Sequence, residues 1–405
     1  MSDVASVRVL HFVPEALPTF RADVAVMFGK YLPRHQVHCS IVGMPGKADL
    51  SEQGFAAVHR PSAKGSRMRQ ELAYVWLCLR LLLAAKPSNT DVIQVRDMVG
   101  IGVLGLLIAR LKGIPFAYWM SFLMNEGRIG RARAEIAKGG GVRYRLVLLK
   151  GLIEVFLLDK VILPHAQHVF VQSEAMKQLI ATRGIAIEKM TAVPMGVDGE
   201  TLIVKQIQAQ RLPGWEGLPV IGYLGTLDRS RELEVVIDAL QLVRKQFPTA
   251  RLLLIGDSPT PSDLDALRAH AAQLGLGQAL HITGWLPALQ AWPLLAAADL
   301  AVSYIPRGPL FDISSPTKSL EYLALAMPCV GNDTPDQVQV LNDSQAGWLT
   351  QSSAAALAQA MQEILQDQAG ARARASKGPA YIEAQRSYRV LAAALAATYQ
   401  KLKRK

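Results

Sequence analysis

The 405-residue chain has 50% hydrophobic residues, 44 Lys and Arg against 33 Asp and Glu, and a net charge of +11. Its length exceeds one compact core and fits two domains of ordinary size, and the apolar content lets both bury a core. Cys39, Cys78 and Cys329 lie far apart without zinc or C-x-x-C spacing and read as reduced core residues; with no signal-peptide pattern and no apolar run long enough to span a bilayer, the expected location is cytoplasmic, at most peripheral on the inner face of the cytoplasmic membrane.

Along the first half, Val/Ile-rich runs at 7–13, 36–42, 92–95, 116–120 and 168–172 alternate with longer helical patterns, which predicts a parallel sheet covered by helices. Residues 1–195 hold 25 basic and 14 acidic side chains, so the whole net charge lies here. The imbalance fits a polyanionic partner, whether an anionic membrane, a phosphorylated lipid or a nucleic acid; a merely soluble basic surface is the plain alternative. Two segments, 67–86 and 127–160, combine arginines with Leu, Trp, Phe or Tyr as an interfacial helix does, but the part at 72–83 is so apolar that it is expected to be buried against the sheet. Residues 128–150, with Gly139, Gly140 and Gly141 in their middle, read as a mobile loop facing a membrane or an acceptor.

A-V-P-M-G-V-D at 192–198 and the proline-bearing stretch to Pro219 resemble an interdomain linker. Beyond it the plan repeats, with strands expected at 220–224, 251–255, 279–283, 300–303 and 329–332. Two doubly wound α/β domains follow, at 1–195 and 196–380. Residues 381–405 form a C-terminal helix, expected over 381–402, that returns to the N-terminal domain.

Two turns of the second domain carry anion chemistry. The strand at 220–224 leads into G-T-L-D-R-S-R, with Gly225 at the turn, Arg229 and Arg231 beside it and a helix expected from about Glu232. Further on, D-I-S-S-P-T-K-S-L-E runs from Asp312 to Glu321. Ser314, Ser315 and Pro316 form a turn before Thr317, Lys318 falls in the first turn of a helix, and Glu321 lies one turn later on the same face. Unpaired N–H groups, the helix dipole and Lys318 suit a phosphate, and Glu321 can accept hydrogen bonds from sugar hydroxyls, so a nucleotide sugar uses both. A capped solvent-facing helix and ion pairs of Arg229 and Arg231 with Asp228, Glu232 or Glu234 are the plain alternatives. The turns at Gly256 and at Gly284-Trp285-Leu286 fall on the same sheet edge, where the latter can hold a nucleobase by main-chain bonds.

These segments together resemble retaining glycosyltransferases of family 4. The likeness runs through Q-V-R-D at 94–97, I-P-F-A-Y-W-M-S-F at 114–122, V-F-V-Q-S-E-A-M at 169–176, E-K-M-T-A-V-P-M-G-V-D at 188–198, G-T-L-D-R-S-R and S-P-T-K-S-L-E-Y. The resemblance implies the GT-B fold, two Rossmann-like domains facing across a cleft, with a nucleotide-diphosphate sugar, UDP- or GDP-linked, held mainly by the second. Glu321 matches the second glutamate of the family's E-x7-E motif, which binds the ribose; Ile313 stands where the first is usual, with Asp312 adjacent. Pro316 occupies a position where a glycine would offer an N–H to phosphate. The family's Arg and Lys on the diphosphate correspond to Thr226 and Arg231, and Arg229 can replace the charge missing at Thr226. Ser121 stands where members often have a histidine near the reacting carbon, and Glu126 is the candidate for an acceptor-side or base role, with an ion pair to Arg128 as the plain alternative.

The implied reaction is same-face transfer, in which the leaving diphosphate takes the acceptor's proton and Lys318, Arg229 and Arg231 stabilise the departing charge. No His cluster appears and cationic side chains can do a metal's work, so no metal is expected, and no cofactor beyond the donor is required. The natural acceptor is a glycan or lipid-linked glycan of surface-polysaccharide, lipopolysaccharide or exopolysaccharide assembly, on an anionic membrane surface and without nucleic acid. Two other readings stay open: a non-catalytic relative that binds a nucleotide sugar and regulates a partner, and a GT-B-type nucleotide-sugar epimerase. Base, sugar, acceptor, linkage and oligomeric state are not legible.

Overall fold

Short apolar runs bounded by turn residues become strands in both halves of the chain, and every strand pairs in parallel with its neighbours. The computed structural model describes residues 6–46, 54–62, 65–202 and 207–403. The chain divides into two units, one of Met1–Met195 with Tyr388–Lys405 and one of Gly196–Ser387.

In the first unit the order is β1 (Val7–Leu17), α1 (Ala22–Val26), β2 (Val37–Pro45), β3 (Ala57–His59), α2 (Arg67–Ala84), β4 (Val92–Arg96) and α3 (Val99–Lys112). Then come β5 (Phe116–Met120), α4 (Met124–Ala137), α5 (Val142–Leu157), α6 (Leu163–His165), β6 (His168–Val171), α7 (Glu174–Thr182) and β7 (Met190–Ala192). The sheet runs β3-β2-β1-β4-β5-β6-β7, so the chain order reverses between β1 and β4.

The second unit follows the same rule: β8 (Val220–Leu224), α8 (Glu234–Val243), β9 (Arg251–Ile255), α9 (Pro261–Gln273), β10 (Leu280–Ile282), α10 (Ala288–Ala296), β11 (Leu300–Ser303) and α11 (Thr317–Ala324). It closes with β12 (Cys329–Asn332), α12 (Pro335–Ser344), β13 (Trp348–Thr350), α13 (Ala354–Gln366), α14 (Gln368–Ala375) and α15 (Gly378–Tyr381). The order β10-β9-β8-β11-β12-β13 puts the reversal between β8 and β11. In open parallel sheets such reversals are where the loops after the strands part and a ligand fits.

A last helix, α16 (Tyr388–Lys403), completes the first unit. Tyr388, Ala392, Leu395, Tyr399 and Leu402 recur every three or four residues and are all buried, a single apolar stripe. Tyr399 packs its ring 5.3 Å from that of Phe170 and donates its hydroxyl to Gln94 Oε1 at 2.6 Å.

Several expectations need correction. The helix expected over 381–402 is α15, a wide turn at Ile382–Arg386 and then α16. The helix expected from about Glu232 begins at Glu234, because Arg229–Arg231 form a 3-10 turn and Glu232 takes a left-handed conformation with φ 49°. Residues 128–150 are no loop. They fall within two helices, and the glycine triplet is the hairpin between them, with Gly139 at φ 87° and a Cβ on Gly140 meeting Glu135 O at 2.6 Å. Nor is α2 buried as its composition implies: it covers Tyr74, Cys78 and Leu82 and exposes Met68, Leu72, Val75, Trp76 and Leu83. Cys39, Cys78 and Cys329 are free and buried.

Candidate active site

In the second unit the edge formed by the ends of β8, β9 and β11 is built from backbone packed on backbone. Gly225 N donates to Ile255 O at 2.9 Å and Leu227 N to Asp257 O at 2.9 Å, which ties the two turns together. The close approach requires glycine: a Cβ on Gly256 would lie 1.9 Å from Gly225 O. Both residues also have left-side φ values, 147° and 150°. Gly256 bridges to Gly284, and Thr283 Oγ accepts from Gly256 N at 3.2 Å, so the Gly284-Trp285-Leu286 turn adjoins the same edge. Trp285 is exposed and Leu286 half-buried.

Tyr322 of α11 spans the reversal point. Its hydroxyl accepts from Leu224 N at 2.9 Å and donates to Val302 O at 3.3 Å, joining β8 to β11 and holding α11 against both. Lys318, one turn earlier, lies across Gly225: its Cε is 2.5 Å from where a Gly225 Cβ would stand, and its Nζ is 5.2 Å from the Tyr223 ring centre. Any larger residue at 225 would displace it.

The electrostatics of this corner are unusual for a surface lysine. Burial, and then the nearby Arg231 guanidinium, lower the Lys318 pKa to about 8, against the pull of Glu321 and Asp228. Burial raises Glu321 to about 7, with Lys318 opposing. Two cations and a displaced carboxylate thus meet at the start of α11. Such a corner gains most from an incoming dianion.

The surrounding residues of the sequence-based site fall as follows. Arg231 stacks 5.4 Å from the Phe311 ring centre and stands 3.5 Å from Asp228 Oδ2. Arg229 and Thr226 are exposed, and Arg229 N donates to Asp263 Oδ2 at 3.3 Å. Ser314 Oγ donates to Phe311 O at 2.6 Å and Ser315 Oγ to Asp336 Oδ2 at 2.8 Å; Asp336 is in turn paired with Arg386 at 2.7 Å. Both hydroxyls therefore brace the turn from within, and the half-buried Thr317 opens the helix behind Pro316. Asp312 pairs with Arg307 at 2.7 Å, and Ile313 is buried.

In the first unit, Ser121 follows β5 and Asp97 follows β4 in a left-handed conformation, φ 52°. Asp97 accepts from Ser121 N at 2.8 Å and from Ser121 Oγ. Glu126, in the first turn of α4, pairs with Arg183 at 2.8 Å, and Asp159 stands 3.3 Å from the same guanidinium. Arg128, the partner that proximity in sequence offers, binds Glu154 instead.

The sequence reading overlooked a cluster beside Ser121. Arg96 is completely buried, with Glu15 at 3.1 Å, Asp23 at 2.6 Å, Asp97 at 3.6 Å and the Trp119 ring centre at 5.7 Å. Arg21 adds a second cation, 3.0 Å from Asp23 and 3.6 Å from Glu15. Burial pushes the Glu15 and Asp97 carboxyls up, Arg96 opposing; at Asp23 the two guanidiniums outweigh burial and hold it below the ordinary value. Glu15 Oε2, Arg96 Nη1 and both nitrogens of His11 have no hydrogen-bond partner among the described residues. The only visible signal was the charged pair closing Q-V-R-D; Glu15, Arg21 and Asp23 lie far from it in sequence.

Two doubly wound parallel sheets in one chain, with the corner around Lys318 at the reversal point of the second, define the class of protein: a GT-B fold. Solved structures share it along their whole length. Anabaena Alr3699/HepE in complex with UDP is 17% identical, with TM-score 0.69 over 98% of this chain and 100% of that one. A glycosyltransferase from Rickettsia africae is 14% identical, with TM-score 0.72 over 98% of each chain. WaaG, a glycosyltransferase involved in lipopolysaccharide biosynthesis, is 14% identical, with TM-score 0.67 over 96% of this chain and 99% of that one. Residues 15–196 match the family Glycosyl transferase 4-like domain, and residues 218–367 match Glycosyl transferases group 1. Together these matches take in most of the chain, which belongs to the glycosyltransferases. Among curated proteins none matches significantly.

Proposed function

We propose that the protein moves a sugar from a UDP- or GDP-linked donor, with retention, onto a glycan or lipid-linked acceptor in polysaccharide, lipopolysaccharide or exopolysaccharide synthesis, working on the cytoplasmic side of a membrane. The observation that carries the donor half is Lys318, an ammonium crowded by Arg231 at the start of α11. HepE has been solved with UDP and with UDP-glucose, which supports the same donor chemistry here.

On this reading the bond between the sugar's anomeric carbon and the diphosphate oxygen breaks as the acceptor oxygen bonds to that carbon on the same face. The acceptor's proton passes to the leaving diphosphate, so no enzyme nucleophile is required. Lys318 and Arg231 neutralise the departing charge, joined by Arg229 swinging in from solvent. Glu321 accepts the ribose hydroxyls, and the Gly284-Trp285-Leu286 turn faces the base. On the acceptor side, Ser121 offers its hydroxyl to sugar hydroxyls, and Glu126 orients the acceptor through its pair with Arg183.

A thermal-shift panel of UDP, GDP, ADP, CMP and their sugar conjugates tests the donor half. A nucleotide at about 100 times its Kd adds about 2.7 kcal/mol of stability. Glu321→Ala removes a charged acceptor and is expected to weaken that nucleotide by roughly 10–100-fold. No shift with any nucleotide sinks the transferase reading, whereas a shift without transfer or donor hydrolysis favours the non-catalytic relative.

The Lys318 pKa of about 8 makes a second prediction, for pH. A diphosphate beside Lys318 raises its pKa, so binding above pH 8 draws a proton onto the lysine. Calorimetry of UDP binding at about pH 8.5, in buffers of different ionisation enthalpy, should find uptake of about three-quarters of a proton. Affinity should fall as pH rises beyond 8. Zero uptake would place the diphosphate away from Lys318.

A further inference from the structure

The outer layer of the first unit carries an apolar face that its fold leaves uncovered. On α5, Val142, Leu146, Leu149, Ile153 and Phe156 recur at steps of three and four residues and all point outward, with Phe156 61% exposed. On α2, Leu72, Trp76 and Leu83 make a similar stripe, with Trp76 66% exposed. Between these helices lies α3, in contact with both, which adds exposed Leu107 and Leu111 one turn apart. The three stripes therefore belong to one surface. The second unit contrasts sharply: its exposed large apolar residues, among the described ones, are Trp285, Leu289 and Leu349.

Charge selects the occupant. Exposed Arg67, Arg69 and Arg80 flank the α2 stripe, Arg110 sits between Leu107 and Leu111, and Arg143, Arg145 and Lys150 interleave with the α5 stripe. Acids there are few and engaged: Glu71 pairs with Arg67, and Glu154 with Arg128 and Lys150. The core of a protein–protein interface is depleted of charge, with polar groups kept to a rim. Here cations run along the stripes themselves, as they do where leucines and rings enter a headgroup layer and arginines meet lipid phosphates. No described helix is long and apolar enough to cross a membrane.

We propose that α2, α3 and α5 form the docking face by which the protein lies on an anionic lipid bilayer, with Trp76 and Phe156 entering the headgroup boundary. The choice of a bilayer rests on the lipid-linked acceptor proposed above; the surface is independent of the donor corner. The α2 stripe is the part that composition alone assigns to the core.

The test uses the full chain with sucrose-loaded vesicles of phosphatidylcholine, with and without phosphatidylglycerol. Sedimentation with the anionic vesicles is expected, weakening as salt rises, together with a blue shift of tryptophan emission quenched by lipids brominated along their acyl chains. Trp76→Phe should remove most of that shift and quenching while sedimentation persists. The double variant Leu72→Glu with Ile153→Glu should bind about tenfold less or weaker still, while its melting temperature rises with UDP as in the wild type. Failure to bind anionic vesicles overturns the proposal, as does binding that the double variant leaves unchanged. A wild-type dimer that the double variant dissolves, without vesicle binding, assigns the face to a second copy. Vesicle binding without any nucleotide shift would instead remove the donor reading and leave the docking face standing.

Discussion

Lys318→Ala is expected to cut sugar transfer by about 10²–10³-fold, the scale found when one preorganised donor to a developing negative charge is removed. The loss should fall mainly on kcat, because the full charge on the leaving diphosphate exists only after the bond to the sugar begins to break. Arginine should not rescue it. The lysine stem threads past Gly225 at 2.5 Å from the place of a side chain there, and a planar guanidinium has no room to turn in that gap. The fold should survive: a lysine whose pKa drops on folding, from 10.5 to about 8, destabilises the folded state wherever it is charged, at every pH below about 8 and partly up to its unfolded value. The ligand-free variant should therefore melt no lower than the wild type at pH 7. Steady-state kinetics and melting curves on one preparation check both halves. A variant with unchanged kcat would mean that the leaving group departs elsewhere.

The second large effect concerns folding. Arg96→Met leaves Glu15, Asp23 and Asp97 together in a buried corner without the cation at their centre. Removing one partner of a buried ionic cluster costs about 3–5 kcal/mol, because three desolvated carboxyls are then left to the Arg21 guanidinium at the edge of the cluster. The sign of its pH dependence follows from Asp23. In the wild type its lowered pKa contributes stability above the ordinary carboxylate range, lost as pH falls through the folded value. In the variant the carboxyls prefer to be neutral, so acid relieves the repulsion. The gap between the two proteins should be widest near pH 8 and narrow toward pH 5, as read by urea unfolding. A gap that stays constant with pH would make Arg96 a packing residue and nothing more.

How much of this was legible depended on whether the cause was local. The strands at 116–120, 220–224, 251–255, 300–303 and 329–332 coincide with the observed ones, because a short apolar run between turns has few other ways to be buried. The strands β3, β7 and β13 are three residues each and only partly buried, so no apolar run announced them. The α11 turn was readable because Ser314 to Glu321 lie within two helical turns. Arg96 with Glu15 and Asp23 was not, since the ends of two separate strands, β1 and β4, and the helix α1 bring them together. On α2 the reasoning failed for a physical reason: an apolar helix is assigned to the core only if water is the sole alternative surroundings, and here the outer face keeps its leucines exposed beside arginines.

The helix α16 also sets an order of events during synthesis. It supplies Tyr388, Leu395 and Tyr399 to the core of the first unit, and the bond from Tyr399 to Gln94 joins positions 305 residues apart. A ribosome must therefore make the whole of Gly196–Ser387 before the first unit can close its core. The second unit, continuous in sequence, can fold as it emerges while the first waits with an apolar groove open to solvent. Nascent chains stalled before α16 should accordingly be held by chaperones through their earliest-made half.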